Sequence, residues 1–243
     1  MRTAVAPAAA SHFAQTALTI AGSHTGVYLV GSPALGDPSP RQSNTDLVVV
    51  TREPLSEEHL GRLAAAHRPL GLNGRAAAVC YTTWAGLAGA PEEAPASVFE
   101  GRNPAPRERL ANPMTWAILA SNPMPLAGPD RPEVDSAPDQ VRSWFRQQLP
   151  AIVDRTGRLL WRRHLSRVVL QSTRAAHGAL TGEVVSLRRA GELALPGASH
   201  TGQRVITDAL GYRAGANTSM YWGPFERKSN AATLGADLLR RVG

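Results

Sequence analysis

Apolar residues run unbroken through Val27-Tyr28-Leu29-Val30 and again through Leu47-Val48-Val49-Val50, each run bounded by glycine or polar sequence. Short runs of this kind, rich in β-branched side chains, predict buried strands. Ala76 to Thr82 repeats the pattern and predicts a third strand. Between the second and third runs, Pro54 to His67 predicts a helix. Ser56 is placed to cap it, and Glu57 and Glu58 sit in its first turn, where the helix dipole favours acids. The stretch 36–43 contains Pro38 and Pro40 and predicts a loop.

Further along, the period becomes helical. Thr115 to Ala120 is a short apolar segment that ends at Asn122-Pro123, and Gly128-Pro129-Asp130 predicts a turn. Gln140 to Val153 predicts a helix bent at Pro150, and Gln203 to Leu210 predicts another. The strongest pattern spans Leu159 to Leu180 and ends at Thr181-Gly182. On its wheel Trp161, Leu165, Val168, Val169, Ser172, Ala176 and Ala179 form one stripe. Arg163, Arg167 and Arg174 form the opposite one, which faces solvent unless another domain covers it. Residues 85–113, rich in Pro, Ala and Gly, read as a linker or excursion. The chain thus reads as a mixed α/β half followed by a helical half.

Composition narrows the class. With 243 residues there is enough chain for one large domain or two small ones. No stretch approaches the roughly 20 apolar residues that span a bilayer. Ser11, His12 and Gln15 break up any signal-peptide core before Ala21, so a cytoplasmic location and no membrane partner are expected. Cys80 is the sole cysteine, which excludes an internal disulfide and predicts a buried structural thiol. The seven histidines show no metal-ligand spacing. Lys228 is the only lysine and no Gly-Lys-Ser/Thr occurs, so a P-loop is excluded. No Gly-x-Ser-x-Gly elbow supports a serine hydrolase.

The formal charge of +7 is uneven. Residues 1–126 carry 9 Arg and 9 acids; residues 127–243 carry 17 Arg plus Lys and 10 acids. A solvated basic face accounts for that excess, and a phosphate-bearing partner is the functional alternative. Ser219-Met-Tyr-Trp-Gly-Pro-Phe-Glu-Arg-Lys mixes aromatics with cations. Tyr221 or Trp222 stacking on a ligand is one reading, and a loop pinned to the helical half by its aromatics is the other.

The candidate chemistry lies between the first two strands. Gly31-Ser32 follows one strand, and Ser43-Asn44-Thr45-Asp46 opens the next. Gly31 allows close backbone approach to a phosphate, and Ser32 adds a hydroxyl and an N–H. Positions 44 and 46, two apart on a strand, share one face. Two carboxylates there would hold Mg²⁺ against a triphosphate. Here Asp46 is a carboxylate and Asn44 an amide.

Gly26 to Asp37 together with Pro40 to Thr51 resembles the active-site hairpin of the streptomycin/spectinomycin adenylyltransferases, within the polymerase-β-like nucleotidyltransferases. Leu126-Ala-Gly-Pro-Asp, Arg174 with Leu180-Thr-Gly-Glu-Val-Val-Ser, and Asp208-Ala-Leu-Gly-Tyr-Arg resemble later parts of that family. The resemblance implies an α+β fold. A nucleotidyltransferase α/β domain with a small mixed sheet would cover 1–110, a C-terminal helical bundle would cover 111–243, and a cleft would lie between them. It implies Mg²⁺ and ATP as cofactors and AMP transfer to an antibiotic hydroxyl. The implied partners are a nucleotide and an aminoglycoside-like small molecule, with no nucleic acid.

Carried over residue by residue, the resemblance assigns Gly31, Ser32, Ser43 and Arg174 to the nucleotide and Asp46 to metal and catalysis. Three positions depart. Asn44 replaces the first metal Asp, Ala78 replaces the glutamate base, and Leu187 replaces a phosphate-gripping lysine. Asn44 supplies no negative charge, Ala78 takes no proton and Leu187 offers no cation. Two readings follow: an adenylyltransferase-like protein with weak, altered or lost activity, or a regulatory pseudoenzyme that binds a nucleotide or small molecule. An acid recruited from elsewhere, such as Asp37 or Asp130, would restore the transferase.

Overall fold

A computed structural model describes residues 8–39, 45–71 and 77–243. Six strands form one mixed sheet in the order β5-β4-β3-β2-β1-β6. They are β1 (Gly26–Val30), β2 (Asp46–Thr51), β3 (Ala78–Thr83), β4 (Ser97–Glu100), β5 (Asn103–Ala105) and β6 (Pro125–Ala127). β2 and β3 run parallel, and the other neighbours are antiparallel. Pro104 and Pro125 both fall on edge strands, where a missing N–H costs no ladder bond and discourages further pairing.

One face of the sheet is fixed by Val27, Leu29, Leu47, Val49, Val79 and Tyr81. These pack with Ala10, Phe13, Ala14 and Ala17 of α1 (Ala8–Ala21) and Leu63 of α2 (Glu57–Ala65). The alternate residues Tyr28, Val48, Val50, Cys80 and Val98 are also buried, on the opposite face. Burial on both faces explains why β1 and β2 read as continuous apolar runs.

The caps behave as the sequence predicts at α2, where Ser56 Oγ accepts from the His59 N–H at 3.2 Å. Thr83 caps the single turn α3 (Trp84–Leu87), and Asn112 caps α4 (Pro113–Ser121), which has Pro113 in its first turn. The segment 85–113 is therefore not a linker: α3, β4 and β5 extend the sheet domain through it. The alternation that marks a strand is confined to Ser97–Glu100, too short to stand out among prolines and alanines.

The described chain divides into two compact units. One ends at Ala137 and includes β6; the other comprises Pro138–Gly243 together with Ser39. The helices of the second are α5 (Pro138–Asp154), α6 (Arg162–Thr181), α7 (Leu187–Ala194), α8 (His200–Ala214) and α9 (Pro224–Val242). α6 packs against each of the other four. Of its predicted stripe, Leu165, Val168, Val169, Ser172, Ala176 and Ala179 are buried, but Trp161 is 79% exposed because it precedes the helix as its N-cap. Gly182 closes α6 in the left-handed conformation, φ +78°, with its N–H on the Gly178 carbonyl at 2.8 Å. Arg163 is exposed, whereas Arg167 and Arg174 are half-buried. α1, α7 and α9 have no counterpart among the predicted helices. Among the described residues, no helix is long and apolar enough to cross a membrane.

Candidate functional site

The end of β1 and the start of β2 build one corner of the sheet. Gly31 leaves β1 with φ +76°, a conformation that disfavours any side chain. The chain then coils tightly. Leu35 N–H donates to the Gly31 carbonyl at 3.2 Å, and Asp37 N–H donates to the Ser32 carbonyl at 3.0 Å. Asp46 is the first residue of β2, directly opposite Val30. A Cβ on Gly31 would lie 3.6 Å from Asp46 Oδ2, so the carboxylate stands over the bare Cα of Gly31. Asp46 Oδ1 lies 3.4 Å from the Ala78 N–H donor at the start of β3.

Gly31, Ser32, Asp46 and Ala78 therefore lie at one end of the sheet. Ser43 and Asn44 lie outside the described residues. Arg174 and Leu187 belong to the helical unit. Leu187 opens α7 as a buried residue behind the Ser186 cap, a position that packs a hydrocarbon rather than presenting a cation. The following cations are exposed, with Arg188 3.0 Å and Arg189 3.8 Å from Glu192.

The two recruited-acid candidates part company. Asp37 is buried in the turn beside Ser32. Asp130 is at the wrong end. Its neighbour Pro129 accepts from Tyr28 Oη at 3.0 Å, and a Cβ on Gly128 would lie 2.8 Å from the Gly26 Cα. Gly26 and Val30 close opposite ends of β1, separated by roughly 13 Å of strand. A cavity of about 480 Å³ occupies that far end, lined by His24, Thr25, Arg52, Trp84 and the Gly128–Pro129 turn. None of its lining residues is acidic.

Pattern reading misses a third acid. Ala78 pairs with Asp46 on one side and with Glu100 of β4 on the other. Residues directly opposite across a ladder point to the same face. Asp46, Ala78 and Glu100 thus form one row on the face turned away from α1 and α2. Glu100 lies 3.8 Å from the Arg109 guanidinium in the 3-10 turn Arg107–Arg109. The alternation through Ser97-Val98-Phe99-Glu100 was the available signal.

Cys80 is fully buried, and burial pushes its thiol up to about 12. It is a neutral core group, as expected from sequence. In the tail, Tyr221 is buried while Trp222 and Phe225 stand exposed, so one aromatic pins the loop. Tyr221 sits beneath the Arg204 guanidinium, 4.4 Å from its centroid, and Asn230 donates to its hydroxyl at 3.0 Å.

No protein-family model and no curated protein matches this chain. Among solved structures it is similar to a spectinomycin adenyltransferase from Enterococcus faecialis, crystallised with ATP and spectinomycin. The TM-score is 0.65 at 16% sequence identity, over 95% of this chain and 97% of that one. A likeness that spans both chains at so low an identity speaks for architecture, and the chain has an adenylyltransferase-like nucleotidyltransferase fold.

Proposed function

We propose that this chain binds ATP at the Gly31–Ser32 corner and transfers AMP to a hydroxyl of an aminoglycoside-like small molecule, with a weakened and altered catalytic set. One observation carries the reading. In an adenylyltransferase-like fold, the Asp46 carboxylate stands over the bare Cα of Gly31, where a phosphate has room to approach. By resemblance, Ser32, Ser43 and Arg174 complete the nucleotide contacts.

Magnesium fits this corner as a loosely held ion. Asp46 would be its carboxylate ligand, and Asn44 offers a carbonyl at best. Among the described residues there is no group of three or more His, Cys, Asp or Glu placed to hold a metal. Mg²⁺ commonly takes only one or two protein carboxylates and fills its shell with phosphate and water oxygens. When bound, it neutralises triphosphate charge. The protein's own part is to aim the backbone of the Gly31 turn and the Asp46 carboxylate at that charge.

The test is calorimetry with ATP, with and without Mg²⁺, on wild type and Asp46→Ala. Mg²⁺-dependent binding that disappears in the variant supports the site, and its absence in wild type rejects it. Pyrophosphate release with spectinomycin and streptomycin then reports transfer. A second reading, a protein that holds nucleotide without transferring it, is favoured by the methyl of Ala78 beside Asp46, where the resemblance expects a glutamate base. Tight ATP binding without pyrophosphate release from any acceptor would select it.

A further inference from the structure

We propose that Glu100 is the general base of this chain, taking over on β4 the task that Ala78 cannot perform on β3; the assignment rests on the transferase reading above. Its foundation is the ladder. Asp46 pairs with Ala78 and Ala78 pairs with Glu100, so the two carboxylates stand in one row with a single methyl between them. Their Cα atoms are two strand spacings apart, about 9.5 Å. The opposite face of these strands, through Leu47, Val79 and Phe99, is packed against α1 and α2. The carboxylate row therefore lies on the face free of those helices.

The local structure holds Glu100 at that position. Gly101 adopts φ +60° in the two-residue turn Gly101–Arg102, which returns the chain so that Glu100 pairs with Asn103. Gly101 N–H donates to the Ala77 carbonyl at 2.8 Å, which prolongs the β3–β4 ladder past Glu100. The Gly101 carbonyl in turn lies 2.5 Å from His67 Nδ1. Backbone placement is thus fixed by three contacts while the carboxylate remains accessible. The glutamate side chain is 49% exposed, and its contact with Arg109 is long and itself partly exposed. Ion pairs of that kind contribute little, so Arg109 holds the carboxylate only weakly. Ala78 itself is fully buried and offers only a methyl at this end of the sheet.

Among the described residues, the rest of the row offers no substitute. Val30 is apolar and Asn103 is a neutral amide. Among the described residues, the charged groups placed toward Glu100 are Arg109 from the 3-10 turn and Asp46 across β3. Asp37 is buried in its turn, and Asp130 belongs to the far end of β1. In the reaction, the acceptor hydroxyl gives its proton to the Glu100 carboxylate. Its oxygen forms a bond to the α-phosphorus of the nucleoside triphosphate. The bond from that phosphorus to the β-phosphate oxygen breaks, and pyrophosphate leaves with the electron pair.

The experiment compares wild type, Glu100→Gln and Glu100→Ala, using ATP with spectinomycin and streptomycin as acceptors. Pyrophosphate release is followed across pH, and ATP affinity is measured separately by calorimetry. Loss of a base predicts a kcat lower by about 10²–10⁴ in Glu100→Gln, with loss of the acidic limb of the pH profile. ATP affinity and the thermal midpoint should match wild type, and added formate should restore part of the rate in Glu100→Ala. If wild type releases pyrophosphate and Glu100→Gln matches its rate and pH profile, the assignment of Glu100 is overturned while the transferase reading stands. If wild type releases none with either acceptor, both are overturned, and the calorimetry then tells whether nucleotide binding survives.

Discussion

The imidazole of His67 lies with Nε2 2.5 Å from the Tyr81 hydroxyl, and its other nitrogen is equally close to the Gly101 carbonyl. A carbonyl only accepts, so Nδ1 carries the proton and Nε2 accepts from the tyrosine. The ring is buried among Phe13, Tyr81 and Phe99. Burial holds its pKa below the usual value of 6.5, partly opposed by the Gly101 contact. Protonation would also make Nε2 a donor facing a hydroxyl that is already donating. The folded state thus binds fewer protons than the unfolded one once pH drops below about 6.5. Stability should be complete above that value and decline as pH falls toward the folded pKa. Urea midpoints between pH 7.5 and 5 check this, with His67→Gln expected to be less stable at pH 7.5 and flatter across the range. An unchanged slope in the variant would remove His67 as the cause.

Asp208 organises the helical unit in a comparable way. It is 2% exposed on α8, and Arg162 reaches it with Nε at 3.2 Å and a terminal nitrogen at 3.0 Å. Arg227 Nε lies 3.3 Å from it, and the Ser219 hydroxyl and Met220 N–H donate to it at 3.1 and 3.0 Å. Removing the acid strands two largely buried guanidiniums and frees the 216–221 loop. Asp208→Ala should therefore cost about 3–5 kcal/mol, the range for breaking a buried pair from one side. Denaturant unfolding measures it. A loss below 1 kcal/mol would mean that the arginines find solvent at no cost.

Neither of these two centres was legible in the sequence, because both are built from contacts between distant residues. Strands β1, β2 and β3 and the Ser56 cap were readable because local rules decide them: β-branched runs, and a serine before paired glutamates. The Gly31/Asp46 corner was readable because its spacing is a motif. Glu100 was hidden because its meaning comes from pairing with Ala78, a contact between residues 22 apart inside a Pro- and Ala-rich stretch. Asp208 was visible only as part of a resemblance, since its partners Arg162 and Arg227 come from other helices. Leu187 shows the converse: the departure from the expected lysine was legible, but not that the residue is buried at the start of α7.

Gly31 separates backbone strain from chemistry. Alanine there must hold φ +76°, at a cost of about 1–2 kcal/mol. Its methyl would also sit 3.6 Å from Asp46 Oδ2, in the space a phosphate needs. Gly36 supplies the control, with φ +66° and nothing within 4 Å of an added Cβ. Gly31→Ala and Gly36→Ala should thus lose similar stability, but only the former should lose Mg²⁺-dependent ATP binding. Equal ATP affinity in the two variants would place the triphosphate elsewhere.

Introducing the two acids that the resemblance expects should succeed at one position and fail at the other. A carboxylate at position 44, where the resemblance expects one, would add negative charge for a divalent ion. Asn44→Asp should tighten Mg²⁺-dependent ATP binding roughly tenfold, about 1.4 kcal/mol, without loss of stability. Position 78 differs because Ala78 is fully covered and its N–H already faces Asp46 Oδ1. A glutamate there must displace neighbours and bury a charge beside another acid. Ala78→Glu should therefore destabilise the sheet domain by about 1–3 kcal/mol and leave transfer no faster. Calorimetry, thermal melts and pyrophosphate release decide both cases. A faster and equally stable Ala78→Glu variant would mean that the corner is still shaped for a base on β3, which is the arrangement that the Glu100 register argues has been given up.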